Sequence, residues 1–256
     1  MISPLPQSEQ FLTSRPSATR AAAPGSELLA RIALLVPANN TTMHLELPAW
    51  LGPGSSCQRT GISRAPGLLT LADLPPYVDQ ALDLARAFVG TGFDATVYGC
   101  TAAGILAGPQ RDAGIANELE TITGLPSVTT AGAMLAWLRD AGARRIALLT
   151  PYHDPVNAQL SAFIGSAGIA VGALWSFRAP DVEALGRITA EQVGSAARAL
   201  MAGDGRGCDA LFIGCSQLPT RDVLAALQSE LPCPVSSSIH ATAWQVARRL
   251  HARIAA

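Results

Sequence analysis

The chain contains no lysine: all 18 of its basic residues are arginine. That absence excludes Schiff-base chemistry, covalently held pyridoxal phosphate and a Walker-type phosphate loop, each of which needs an amine at a fixed place. A metal ligand set is missing too. The four histidines (His44, His153, His240, His251) show neither HxxxH nor HxxEH spacing, and the five cysteines (Cys57, Cys100, Cys208, Cys215, Cys233) contain no CxxC. Charged residues are scarce, at 14%, and sum to a net charge of −1, so the electrostatic footprint of a nucleic-acid binder is absent. No apolar run approaches the roughly 20 residues of a membrane-spanning helix. An odd cysteine count without a secretory leader argues against a disulfide framework and for a reducing, cytoplasmic setting.

What the chain does have is apolar residue, 49% of 256, enough for one large domain or two small ones. Residues 1–29 stand apart: Pro, Ser, Ala and Arg without periodicity, the composition of a mobile extension.

Compared with itself, the remainder is a duplication. Arg31–Pro37 (RIALLVP) recurs as Arg145–Pro151 (RIALLTP), with six identities in seven, and Asp94–Thr101 (DATVYGCT) recurs as Asp209–Ser216 (DALFIGCS). Offsets of 114 and 115 residues place both matches in one register. A third pairing, Leu125-Pro126 with Leu231-Pro232, sits at a shifted offset near 107. Apolar runs at 31–37, 94–99, 145–150 and 209–214 predict strands buried on both faces. Helices are predicted over about 76–91, 103–121, 131–142, 154–167, 189–203, 219–230 and 239–254. Strands separated by such helices form parallel βαβ units. The expectation is an α/β protein of two pseudo-symmetric, flavodoxin-like lobes with parallel sheets, residues 30–140 and 141–256. They exchange terminal helices, and the active site lies in the cleft between them.

Parallel α/β sheets bind ligands at the carboxyl ends of their strands. Cys100 and Cys215 both fall there, each after a glycine and before a small hydroxyl residue and a helix, whose free N–H groups stabilise a thiolate or hold a carboxylate. One cysteine after a buried strand reads as a small core residue. Two at equivalent positions of a repeat read as paired reactive groups, suited to two-base proton transfer or to addition–elimination at a double bond. Cys57, Cys208 and Cys233 lack counterparts and read as bystanders. Asn40, Thr41 and Tyr152 offer donors to a carboxylate, although Asn40-Thr41 reads equally as a helix cap. His44 and His153 read as surface or capping residues. Gly90–Ala95 matches GxGxxA but precedes a strand, so it is rejected as a nucleotide loop.

Val36–Met43 (VPANNTTM), Tyr98–Thr101 (YGCT), Leu149–Tyr152 (LTPY) and Ile213–Ser216 (IGCS) resemble the aspartate/glutamate racemase superfamily, and within it the maleate cis–trans isomerase branch, over about residues 30–250. The resemblance implies an isomerase without cofactor or metal. Cys100 would add to the maleate double bond, giving a succinyl-cysteine; rotation about the new single bond and elimination to fumarate would follow, with Cys215 handling the proton. It implies Asn40 and Tyr152 as carboxylate binders, with Pro37, Thr101, Ser216 and Asp181 also at the substrate. The implied partner is a small carboxylate, with neither nucleic acid nor membrane, and self-association into a homo-oligomer is left open.

Three positions depart from the isomerase pattern. Asp181 stands where the family carries a carboxylate-binding Asn, and an acid there repels a dicarboxylate unless protonated or turned away. Ile239 replaces another Asn, and His44 replaces a frequent Glu. Arylmalonate decarboxylase shares the character of Pro234–Ser238 but keeps only the second cysteine, with Gly at the first position, so Cys100 speaks against that activity. An amino-acid or hydantoin racemase with two cysteine bases fits the pair equally; the Asn40–Met43 stretch favours the isomerase. A non-catalytic small-acid sensor is the weaker alternative. Turnover is expected to be insensitive to chelators and to added nicotinamide, flavin or pyridoxal cofactors, and activation by any of these in a rate assay would count against this reading.

Overall fold

The structure is a computed structural model describing residues 29–63 and 67–254; of the extension read at residues 1–29, only Leu29 falls among them. Among the described residues, eight strands form two four-stranded sheets. The first contains β1 (Arg31–Pro37), β2 (Ser56–Ile62), β3 (Ala95–Tyr98) and β4 (Ser127–Thr129), in the order β2-β1-β3-β4. The second contains β5 (Arg145–Thr150), β6 (Ala170–Ser176), β7 (Ala210–Ile213) and β8 (Val235–Ser237), in the order β6-β5-β7-β8. Every pairing is parallel.

The repeat is written into individual hydrogen bonds. Asp94 N–H donates to Arg31 O and Asp209 N–H to Arg145 O, both at 2.8 Å, while Gly99 N–H and Gly214 N–H reach Leu35 O and Leu149 O at 2.7 and 2.8 Å. Register corrects the third sequence pairing. Thr96 N–H donates to Pro126 O and Leu211 N–H to Pro234 O, each at 3.0 Å, so Pro126 corresponds to Pro234 and not to Pro232.

The helices are α1 (Met43–Leu51), α2 (Leu74–Ala85), α3 (Thr101–Ala107), α4 (Pro109–Thr123), α5 (Thr130–Asp140), α6 (Asp154–Gly165), α7 (Val182–Gly186), α8 (Ala190–Ala202), α9 (Arg221–Glu230) and α10 (Ser238–Ile254). The single helix expected over 103–121 is two. Gly108 takes φ +79°, and Pro109, which lacks an N–H and disfavours helical geometry in the residue before it, opens α4. The helix expected at 76–91 ends at Ala85 and runs on as a 3-10 turn, Arg86–Phe88. Helix α1 escaped notice because Pro48 lies inside it. The four unpredicted strands are the two outermost in each sheet: β2 and β6 have partly exposed faces, and β4 and β8 are three residues long.

Alternate residues of β1 separate two core layers. Ile32, Leu34 and Val36 pack under α1 and under Ile239, Ala243, Val246 and Leu250 of α10. Ala33 and Leu35 face α2 and α4. In the second sheet, Ile146, Leu148 and Phe212 pack against α6 and against Met134, Trp137 and Leu138 of α5. Leu149, Leu211 and Ile213 face α8 and α9. Thus α10, at the end of the second half, closes the first sheet, and α5, at the end of the first half, closes the second.

Equivalent glycines are packed unequally. A Cβ on Gly99 would lie 2.5 Å from Val36 and 2.7 Å from Met43, whereas one on Gly214 meets nothing closer than 3.5 Å. Gly99→Ala is therefore expected to lose about 1–3 kcal/mol by overpacking and Gly214→Ala distinctly less, as measured by urea unfolding.

Candidate active site

The carboxyl ends of β1, β3, β5 and β7 meet at the seam between the halves. Cys100 follows β3 as the N-cap of α3, with φ −108°, and is 6% exposed. Cys215 follows β7, is 7% exposed, and has φ +101°, a region that costs a side-chain-bearing residue about 1–3 kcal/mol. The sequence reading gave both cysteines a helix N-terminus; only Cys100 has one, since α9 starts at Arg221. Cys215 instead sits in a turn whose geometry is held from outside. Its N–H donates to Ser238 Oγ at 2.9 Å, and its Sγ accepts from Gln217 N–H at 3.5 Å.

Burial pushes the Cys215 thiol up to about 11, a charge at Cys100 adds to this, and the hydrogen bond from Gln217 N–H and the nearby Tyr152 hydroxyl only partly oppose it. Cys215 is therefore a protonated thiol at neutral pH, and the two thiols are near enough to feel each other. The Tyr152 phenol is buried beside them and raised well above its usual range, first by burial and then by Cys215. The hydroxyls of Tyr152 and Thr101 interact electrostatically, yet neither reaches a hydrogen-bond partner at ordinary distance. A buried polar group left unpaired costs about 1–3 kcal/mol. Two such hydroxyls beside two thiols form a place where a ligand oxygen would be stabilised.

The remaining residues singled out in the sequence fall into separate roles. Asn40 is buried, its amide donating to Ser216 O and Oγ at 3.2 and 3.1 Å, and its Oδ1 accepting from Thr42 and Met43 N–H at 3.1 and 3.0 Å. It holds the turn that leads into α1 and fastens the halves. Ser216 Oγ in turn donates to Gly99 O at 2.6 Å, joining the residue before Cys100 to the residue after Cys215. Pro37 ends β1, and its carbonyl accepts from Asn40 N–H at 2.8 Å. Asp181 is exposed, its carboxylate accepting from Ala184 N–H at 2.7 Å as the cap of α7. Ile239 lies in the first core. His153 precedes α6 without a side-chain cap, and His44 lies on α1, its pKa lowered by burial and by Arg59. Cys57 packs against the first core, its thiol pushed up to about 12, and Cys208 and Cys233 belong to the last.

Two supporting residues were missed. Gln217 Oε1 accepts from Thr41 N–H and its Nε2 donates to Thr41 Oγ1, both at 3.0 Å. Ser238 was detectable through its repeat counterpart Thr130, which reaches Tyr98 O at 3.5 Å. Among the described residues no group of three His, Cys, Asp or Glu is placed to hold a metal ion, and no helix is long and apolar enough to cross a membrane.

A duplicated parallel α/β fold with one buried thiol from each half at the seam defines a protein of the aspartate/glutamate racemase-like class. Within that class, the chain belongs to the arylmalonate decarboxylase family, whose profile matches residues 32–256. It is 28% identical over 233 residues to a maleate isomerase of Nocardia farcinica, covering 88% of this chain and 92% of the relative. It is 29% identical over 218 residues to the arylmalonate decarboxylase of Bordetella bronchiseptica, covering 84% and 85%. Among solved structures, a cysteine-to-serine mutant of the Nocardia farcinica maleate cis–trans isomerase with a covalently bound succinylcysteine intermediate superposes with a TM-score of 0.76 at 27% identity, covering 87% of this chain and 93% of the other.

His240 Nδ1, on α10, lies 2.8 Å from Ser236 Oγ, and its ring meets Trp50 edge-on at 4.8 Å. Burial lowers its pKa to about 4 from 6.5. The unfolded chain binds this proton more readily, so His240 contributes full stability above pH 6.5 and loses it as pH falls through about 4. The shift corresponds to about 3 kcal/mol. In urea unfolding between pH 7 and pH 4, His240→Gln is expected to flatten the fall in stability by about that amount; an unchanged slope would contradict the assignment.

Proposed function

We propose that this protein is a cofactor-independent cis–trans isomerase acting on maleate or a closely similar cis-dicarboxylate through a cysteine adduct. The observation that carries the proposal is the chemical inequality of two structurally equivalent thiols: Cys100 opens a helix, whereas Cys215 is held protonated in a left-handed turn. A nucleophile and an acid are what addition across a double bond requires. The Cys100 thiolate forms a carbon–sulfur bond to one alkene carbon, and the electron pair moves to the other, which takes the Cys215 proton. The resulting succinyl-cysteine rotates about its central single bond. The Cys215 thiolate then removes a proton, the double bond re-forms, and the carbon–sulfur bond breaks to release the trans acid. The Thr101 and Tyr152 hydroxyls serve as carboxylate donors, while Asn40 and Ser216 hold the two reactive loops at fixed separation.

A two-base racemase is the second reading, favoured by the repeat itself, but two matched bases would call for matched environments. The decarboxylase reading leaves Cys100 without a task.

Cys100→Ser is expected to be inactive, because a hydroxyl is rarely ionised at neutral pH and adds poorly to an alkene. Cys215→Ser should lose about two to four orders of magnitude, the usual effect of a positioned acid or base, and still accumulate adduct. Mass spectrometry after incubation with maleate should place the added mass on the peptide containing Cys100. Adduct on Cys215, or α-proton exchange in D₂O with no adduct, would move the assignment to the racemase.

A further inference from the structure

The turn from Cys215 to Thr220 is held chiefly by the other half of the chain. Cys215 takes φ +101°, which is costly for a residue with a side chain, and no helix follows until Arg221. Ser216 Oγ donates to Gly99 O at 2.6 Å, Gln217 O accepts from Thr42 Oγ1 at 2.9 Å, and Thr220 N–H donates to Glu46 Oε1 at 3.0 Å. In the first half the same stretch is helical and supports itself, with Gly104 N–H donating to Cys100 O at 3.2 Å in the first turn of α3.

Within this turn Gln217 makes three bonds that belong together. The residue is 5% exposed. Its Oε1 accepts from Thr41 N–H and its Nε2 donates to Thr41 Oγ1, both at 3.0 Å, so both ends of the amide are fixed on one residue of the facing half. Its backbone N–H donates to Cys215 Sγ at 3.5 Å. A side-chain acceptor that takes the N–H two residues on closes a local turn, and the bond lasts only while the later residue keeps its place. In the duplication the residue equivalent to Gln217 is Ala102, whose methyl group cannot reach across the seam. Fastening the halves accounts for the two bonds to Thr41 and leaves the third, to sulfur, unexplained.

We propose that Gln217 is a positioning residue for Cys215: clamped to Thr41 across the seam, it aims its backbone N–H at Cys215 Sγ and stabilises the thiolate left when Cys215 gives up its proton. A hydrogen bond to a charged group is worth more than one to a neutral group, so this N–H favours the thiolate over the thiol. It eases proton transfer to the alkene carbon against the opposing effect of burial, and the thiolate it holds takes a proton back on elimination. Because the clamp belongs to the first half, Cys215 gains this help only where the two halves are engaged. The titratable groups beside the sulfur are Cys100 and Tyr152, neither of which the clamp touches. The inference rests on the reading of Cys215 as the proton donor.

The test is the rate of Cys215 alkylation by iodoacetamide at mildly alkaline pH in the whole protein, Gln217→Met, Thr41→Val and Thr41→Ser. Fragment mass spectrometry reads it, because Cys208 and Cys215 lie between the same two arginines, Arg206 and Arg221. The reagent attacks thiolate, so the rate follows the thiolate fraction. Gln217→Met keeps the chain length and the backbone N–H but loses both bonds to Thr41. Its Cys215 rate should fall about tenfold, the lower end of what a hydrogen bond to a charged group supplies. Thr41→Val removes one clamp bond and should lower the rate about threefold, while Thr41→Ser, which keeps both, should match the unsubstituted protein. Cys100 should react at an unchanged rate in every sample. If Gln217 only fastens the halves, its loss loosens the cover over a buried thiol, and Cys215 reacts as fast or faster; that result, or an equal slowing of Cys100, overturns the proposal. Thr41 is exposed, so Thr41→Val decides by the same criterion where Gln217→Met does not fold. Because the readout is thiol reactivity, a protein inactive on maleate would overturn the isomerase reading alone.

Discussion

The Ser216 hydroxyl is the hinge pin of the molecule. It donates to the carbonyl beside Cys100 and accepts from Asn40, and it belongs to the residue after Cys215. Thr42 Oγ1 to Gln217 O at 2.9 Å, and Thr220 N–H to Glu46 Oε1 at 3.0 Å, extend the same seam. These groups are wholly or partly buried, so separating the halves would leave several donors and acceptors unpaired, each at the cost of a desolvated polar group. The distance between the thiols is therefore set by a network and not by either lobe. Exchange of α5 and α10 across the sheets adds apolar burial to the same constraint.

Duplication supplies two thiols, and divergence makes them different. In the first half, β3 leads directly into α3, and Cys100 caps it; in the second, a turn stands where α3 would be. The turn forces Cys215 into a left-handed backbone and gives its sulfur the Gln217 N–H as a donor. Backbone symmetry thus yields chemical asymmetry, through one helix present in only one half.

Each half also anchors the hydroxyl at the end of its last strand to a carboxylate, buried in Asp112 and partly buried in Glu46. Thr129 bonds Asp112 directly. Its counterpart Ser237 lies 2.9 Å from Thr220 Oγ1, which lies 3.1 Å from Glu46 Oε2. Burial raises the pKa of both carboxyls. In the first half the acid is supplied from within; in the second it comes across the seam from α1, so the anchor of one lobe's site belongs to the other.

The repeat, the four central strands and the equivalent placement of Cys100 and Cys215 were legible in the sequence because they are local: runs buried on both faces are continuously apolar, and a duplicated motif can be matched residue by residue. The outer strands were not, since β2 and β6 face solvent on one side and β4 and β8 are too short to show a period. Nor could the residues that fasten the site be assigned. Asn40 looked as much like a carboxylate binder as a cap, and its amide bonds to Ser216, 176 positions away, could only be seen once the halves were folded together. Gln217, Ser238 and Asp112 carry no motif; their importance comes from burial and from partners that other elements bring to them. By itself the sequence determined the duplicated α/β plan and which two cysteines follow equivalent strands. Tertiary structure alone decided that the Cys215 thiol is pushed up, because the pKa of a thiol is set by desolvation and hydrogen bonding, properties of its surroundings and not of its place in the chain.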